Sequence, residues 1–152
     1  MISELDRYQG VVLRQIVVAY GGRVEVGLAD VTGRKDCFSV ARAAFQIKHC
    51  RNRLSPWHFT YQPENFGEIE KLRAWFDPVW VFLVCGADGV VGLSADELIS
   101  ITEVGDGGQA WVRVSRSRSS MYRVSGARGE LPRAKARGVQ AFVADLVEKT
   151  NI

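Results

Sequence analysis

The sequence predicts an α/β (α+β) fold, with a mixed central sheet that opens as an antiparallel meander and is flanked by helices. Three observations carry this. Val79 to Cys85, VWVFLVC, is apolar on both faces, as a central strand covered on both sides must be. Pro63 to Phe76 and Gly138 to Lys149 repeat apolar residues at helical spacing. Between Arg23 and Cys50, three short strand-like segments follow one another. The chain of 152 residues fits a single domain over 1–152, long enough for a real core. Its apolar fraction of 47% and charged fraction of 24% are globular averages, which excludes low complexity and disorder.

Residues 2–20 admit two readings. Ile2, Leu5, Tyr8, Val12, Ile16 and Tyr20 follow helical spacing, with Ser3 as N-cap and Asp6 three residues on. Gly10 and the β-branched run from Val11 to Val18 favour a strand instead. Gly21-Gly22 serves the first reading as a helix stop and the second as a hairpin turn. Propensity alone puts a hairpin slightly ahead, and the motifs further along tilt the reading to a helix over at least the first part.

Arg23 to Ala29 alternates, with Val24, Val26 and Leu28 on one face, and reads as a strand. Asp30 to Gly33 is a turn, and Asp36 to Ala41 and Ala44 to Cys50 complete the meander. In the last strand Phe45, Ile47 and His49 share one face, and Gln46, Lys48 and Cys50 the other. Arg51 to Pro56 is a basic loop, and Trp57 to Tyr61 a short aromatic strand. The helix from Pro63 has proline in its first turn, Glu64, Glu68 and Glu70 early, and Lys71 and Arg73 later, as the helix dipole favours. Its apolar face is Phe66, Ile69, Leu72 and Phe76, and Pro78 ends it.

After the central strand, Ala87 to Gly89 turns into Val90 to Leu93, and Ser94 caps a short helix over Ala95 to Ile99. Gly105 to Gly108 is a loop. Ala110 to Val114 and Met121 to Val124 form a strand pair around the run SRSRSS, Ser115 to Ser120. Gly126 to Arg137 is irregular and basic. The closing helix turns Val139, Phe142, Val143 and Leu146 inward.

Net charge is +3, and fifteen of the twenty cations are arginine. From Arg113 to Arg137 there are eight Arg or Lys against one acid, Glu130. Arginine's planar fork suits phosphate, so this tail favours a nucleic-acid partner, with a merely solvated basic surface as the plain alternative. Cys37, Cys50 and Cys85 lie far apart without a C-x-x-C pair, and Cys37 and Cys85 read as buried thiols. An odd count with no signal peptide points to a reducing, cytoplasmic setting. No apolar run approaches the ~18 residues of a membrane span. His49 and His58 lack metal-ligand spacing to any cysteine or carboxylate, which argues against a zinc site.

Asp36 near a strand start, followed by Gln46-Ile47-Lys48 at the end of the next strand, brings an acid, an amide and an ammonium to one sheet edge. In that order of elements the pattern resembles the PD-(D/E)XK nuclease-like superfamily over about residues 20 to 100. Asp36 matches the superfamily's acidic residue and Gln46-Ile47-Lys48 its (E/Q)-x-K element, with Gln46 in place of an acid. The run from Val79 through VCGADGVV to Ala95–Ile99 is similar to the later part of resolvase-like and homing-type members. The resemblance implies a restriction-endonuclease-like fold, DNA or RNA as partner, and Mg²⁺ held by Asp36, Gln46 and the Ile47 carbonyl. Lys48 would orient the attacking water or stabilise the charged transition state. Glu4 or Glu25 would supply a second carboxylate.

Each residue also has a plain reading: Asp36 as a turn residue, and Lys48 and Gln46 as solvated strand positions. Trp57, Phe59 and Tyr61 form either a base-stacking platform beside Arg51 and Arg53 or part of the core. The expected phosphate contacts are Arg51, Arg53, Arg113, Arg116, Arg118 and Arg123. The rival function is a non-catalytic protein-interaction module, in one form a homodimer, whose arginines meet an acidic protein.

Overall fold

The computed structural model describes residues 1–29, 33 and 35–150. Among these, four α-helices and nine strands make a mixed α/β structure with two sheets. Helix α1 (Glu4–Tyr20) settles the N-terminal ambiguity. Ser3 Oγ accepts the Asp6 N–H at 3.1 Å, and Gly21 closes the helix in the left-handed region with its N–H on the Val17 carbonyl. The β-branched run does not prevent this, because Val12 and Ile16, four apart, bury completely against the sheet.

The first sheet runs β1-β2-β3-β5-β6, from β1 (Val26–Leu28), β2 (Cys37–Val40), β3 (Ala43–Cys50), β5 (Val79–Cys85) and β6 (Gly89–Ser94). β1, β2 and β3 form the antiparallel meander, β3 and β5 are parallel, and β5 and β6 form a hairpin. The expected strand from Arg23 shrinks to three residues at the sheet edge. Having only β2 beside it, β1 leaves Val26 and Leu28 exposed instead of burying them. The expected turn at Asp30 to Gly33 lies, apart from Gly33, outside the described residues.

The aromatic strand β4 (Trp57–Tyr61) stays out of this sheet. It pairs with β7 (Ala110–Ser115), which pairs with β8 (Arg123–Gly126) and then the two-residue β9 (Gly129–Glu130), giving a second, antiparallel sheet. Helix α2 (Pro63–Trp75) crosses from β4 to β5, α3 (Ala95–Ile101) follows β6, and α4 (Gln140–Thr150) closes the chain.

Two cores follow from strand alternation. On one face of the first sheet, Phe45, Ile47, Trp80, Phe82 and Val84 meet Val12 and Ile16 of α1 and Phe142 and Leu146 of α4. On the other, Val81, Leu83 and Leu93 meet Ile69 and Leu72 of α2, Leu98 of α3, and Trp57, Phe59, Val112 and Val124 of the second sheet. β5 is therefore buried along its whole length. Trp57, Phe59 and Tyr61 are core residues, which removes the stacking-platform reading. Among the described residues no helix is long and apolar enough to cross a membrane.

Candidate metal centre at the β2–β3 edge

Antiparallel pairing sets Cys37 directly across from Gln46. One step further, the Ile47 N–H donates to the Asp36 carbonyl at 2.9 Å. Because a strand residue's N–H and C=O point to the same side, the Ile47 carbonyl faces this edge too. Period-two alternation sends Gln46 and Lys48 to the face covered by α2, away from Phe45 and Ile47. The three residues expected to act together thus stand at one end of the hairpin, Asp36 just before β2 and Gln46 and Lys48 on β3.

Helix α2 supplies what the sequence reading lacked. Asn65, Glu68, Ile69 and Leu72 form its buried stripe, three and four residues apart. Glu68 is only 1% exposed, and its Oε1 accepts the Gln46 Nε2–H at 3.0 Å. A second Gln46 Nε2–H goes to the Asn65 carbonyl at 3.1 Å. The carboxylate that the fold brings beside Asp36 is Glu68; of the two expected for that place, Glu4 pairs with Arg51 at 3.4 Å and Glu25 is exposed. The signal was present in the sequence, since Glu68 stands four residues before Leu72 on the buried side, but early acids in a helix are ordinarily explained by the dipole.

Asp36, Cys37 and Glu68 converge, with one carboxylate oxygen or sulfur from each lying within 4.8 Å of the others. Cys37 Sγ stands 3.6 Å from both Asp36 Oδ1 and Glu68 Oε2 and donates its S–H toward them. Burial first, then the Glu68 and Asp36 charges, push this thiol far above its usual pKa, so it is a protonated donor here. Gln46 Oε1 and the Tyr61 hydroxyl are buried side-chain atoms without a hydrogen-bond partner among the described residues. Buried polar groups are nearly always satisfied, so the Gln46 carbonyl oxygen, on the same amide that holds Glu68, is an available donor.

Lys48 is held from three sides. Its ammonium donates to the Thr60 carbonyl, donates to Asn65 Oδ1 at 3.0 Å, and lies 4.6 Å from the centre of the Tyr61 ring. Asn65 Oδ1 also accepts the Gln62 N–H at 2.8 Å, so the start of α2 is locked to the lysine. A shallow cleft of about 320 Å³, bordered by Leu5, Asp36, Lys48, His49 and Asn65, opens on this cluster. The oxygen donors Asp36, Glu68 and Gln46 suit a hard divalent cation; Cys37 is a soft donor outside that set.

The arginines expected to meet phosphate fall in two groups. Arg51 and Arg53 are exposed in the loop after β3. Arg113 points outward from β7 opposite His58, beside the exposed Trp111, while Arg118 is exposed in the β7–β8 connection. Arg123 pairs with Glu130 at 3.7 Å. Arg116 turns inward: Nε and Nη2 grip the Asp88 carboxylate, whose Oδ2 also accepts the Tyr122 hydroxyl at 2.6 Å. The Arg116 hydrogen bond holds Asp88 below the ordinary carboxylate range. Arg116 thus anchors the β5–β6 turn to the second sheet instead of facing outward. Its backbone N–H donates to Ser55 Oγ at 3.0 Å, which ties the Arg51–Pro56 loop to the second group.

Comparison with protein-family models, with curated proteins and with solved structures finds no match for this chain.

Proposed function

We propose that this protein binds nucleic acid and is a Mg²⁺-dependent phosphodiesterase of PD-(D/E)XK, restriction-endonuclease-like organisation. The observation that carries the reading is the approach of the Asp36 and Glu68 carboxylates to within 4.8 Å, with the Gln46 amide on Glu68 and with Asp36 and Lys48 lining one cleft. The order of elements supports it: a hairpin of β2 and β3, a crossover through α2, and β5 parallel to β3. Asp36, Glu68 and Gln46 would hold the ion, with the Ile47 carbonyl on the same edge. Bound there, Mg²⁺ would lower the pKa of a water and brace charge on the scissile phosphate.

Lys48 would present its ammonium to the phosphate, and its tethers to Thr60 and Asn65 fix that charge in advance, which is what electrostatic catalysis requires. Arg51, Arg53, Arg113 and Arg118 would track the backbone, with Trp111 offering an exposed ring for a base.

The test incubates purified protein with single- and double-stranded DNA and with RNA, in Mg²⁺, Mn²⁺ or EDTA. Asp36→Asn, Glu68→Gln and Lys48→Ala proteins, checked for folding, run alongside. Metal-dependent cutting lost in all three establishes the reading. Salt-sensitive binding without cutting reduces it to a binder, and neither activity sinks it.

One feature favours the rival interaction module. β1 is an open sheet edge with Val26 and Leu28 exposed, a geometry that pairs readily with a strand of another chain. Sedimentation of wild type against a Leu28→Pro protein, which removes an N–H that faces the open edge and not β2, tests that alternative: a dimer lost on substitution would support edge pairing.

A further inference from the structure

The proposed Mg²⁺ reading leaves one residue of the cluster without a role. Cys37 sits between the two carboxylates, 1% exposed, with its sulfur 3.6 Å from an oxygen of each. A hard ion has no use for that sulfur. A tetrahedral zinc-class ion, with metal–sulfur and metal–oxygen distances of about 2.3 and 2.0 Å, separates such ligand atoms by about 3.5 Å.

The second observation is independent of this triangle. Gln46 is fully buried and is the cross-strand partner of Cys37, so both side chains leave the sheet on the same face. Its amide nitrogen is fixed on Glu68, and its oxygen has no partner among the described residues. A fully buried, unpartnered carbonyl oxygen on the side chain that holds Glu68 and pairs across the strands with Cys37 is the candidate fourth donor for a tetrahedral site. The histidine spacing that spoke against zinc does not bear on this set, because no histidine belongs to it.

We propose that Asp36, Cys37 and Glu68, with Gln46 Oε1 as fourth donor, bind a thiophilic divalent ion of the zinc class, and that this occupancy excludes Mg²⁺ from the shared carboxylates. Binding exchanges the Cys37 S–H bond for a sulfur–metal bond and releases one proton to solvent, with no change in oxidation state. The ion enters past Asp36, the half-buried member of the cluster on the cleft wall. The inference shares Asp36, Glu68 and Gln46 with the proposed function but does not require that any phosphodiester be cut.

The experiment titrates metal-free protein with Co²⁺, which reports thiolate ligation by a charge-transfer band, and then displaces it with Zn²⁺. Expected are a band saturating at one equivalent, its loss in Cys37→Ser, and its retention in Cys50→Ser and Cys85→Ser. Glu68→Gln keeps the thiol and should weaken Co²⁺ binding by at least about 10-fold, the lower end of what outer-shell partners cost. No band in wild type, or a band that survives Cys37→Ser, overturns the proposal. Should Cys37→Ser not fold, Glu68→Gln decides, and unchanged Co²⁺ affinity overturns it. A cobalt band without Mg²⁺-dependent cleavage removes only the nuclease reading; cleavage without a cobalt band removes only this one.

Discussion

Gln46, on a central strand, donates its amide N–H to Glu68, on the helix that crosses over that strand, across 3.0 Å in a region closed to solvent. The amide does what a carboxylate at that position would not do without a cation: it satisfies Glu68 instead of repelling it. The other end of the same amide is left without a partner among the described residues. One side chain therefore both stabilises the buried acid and leaves a buried acceptor oxygen unused among the described residues.

Gln46→Glu should expose this arrangement. A second buried carboxylate 3 Å from Glu68 has no amide proton to offer. In EDTA the variant should lose about 3 kcal/mol or more, the scale for an uncompensated buried charge. Added Mg²⁺ should restore much of the loss through binding to the folded state alone. Thermal unfolding with and without the ion is the measurement, and a midpoint indifferent to Mg²⁺ would count against a cation site.

Lys48→Ala tests the pre-set ammonium. If Lys48 stabilises charge developing on phosphate, cleavage should drop by about 10²–10³-fold while affinity for nucleic acid changes little. A proportional loss of affinity instead would make Lys48 a simple phosphate contact.

The arginines should separate by role in a salt titration. Arg118→Ala removes an exposed cation, so the slope of log affinity against log salt should shrink by about 1. Arg116→Ala should leave the slope alone and lower the melting temperature, since its guanidinium is held by Asp88.

His49 gives the acid response a sign. Burial lowers its pKa from the ordinary 6.5; Arg51 and Lys48 act in the same direction, and Glu4 opposes without cancelling them. The folded protein thus gives up this proton more readily than the unfolded chain. The contribution to stability is full above about pH 6.5 and is lost as the pH falls toward the lowered value. His49→Phe keeps a ring on Tyr8, whose stacked partner lies 4.5 Å away, and should flatten the decline of melting temperature between pH 7 and 5. An unchanged decline would assign the acid sensitivity elsewhere.

Gly86→Ala should destabilise the β5–β6 hairpin. Gly86 has φ +53°, and a Cβ there would stand 2.2 Å from the Asn52 carbonyl oxygen. The obstacle is backbone, which a side-chain rotation cannot relieve, so a cost of about 1–3 kcal/mol is expected in denaturant unfolding.

Much of the fold was legible because it rests on local rules. Ser3, Gly21, Pro63 and Ser94 mark helix ends through caps and fixed φ, and VWVFLVC announces a doubly covered strand by having no polar face. Alternation alone placed Gln46 and Lys48 on the face opposite Phe45 and Ile47.

The sequence by itself therefore determined the class, most element positions, and the pairing of an acid-bearing strand with a Gln-x-Lys strand. Only the tertiary structure decided that WHFTY joins a second sheet, that Trp57 and Tyr61 are core, and that Arg116 turns inward to Asp88. It alone brought Glu68 to Cys37 and Asp36 across a separation of about thirty residues. The physical reason is range: caps, turns and periodicity act within a few residues, whereas the meeting of two carboxylates, a thiol and an amide depends on how a crossover helix seats on a sheet.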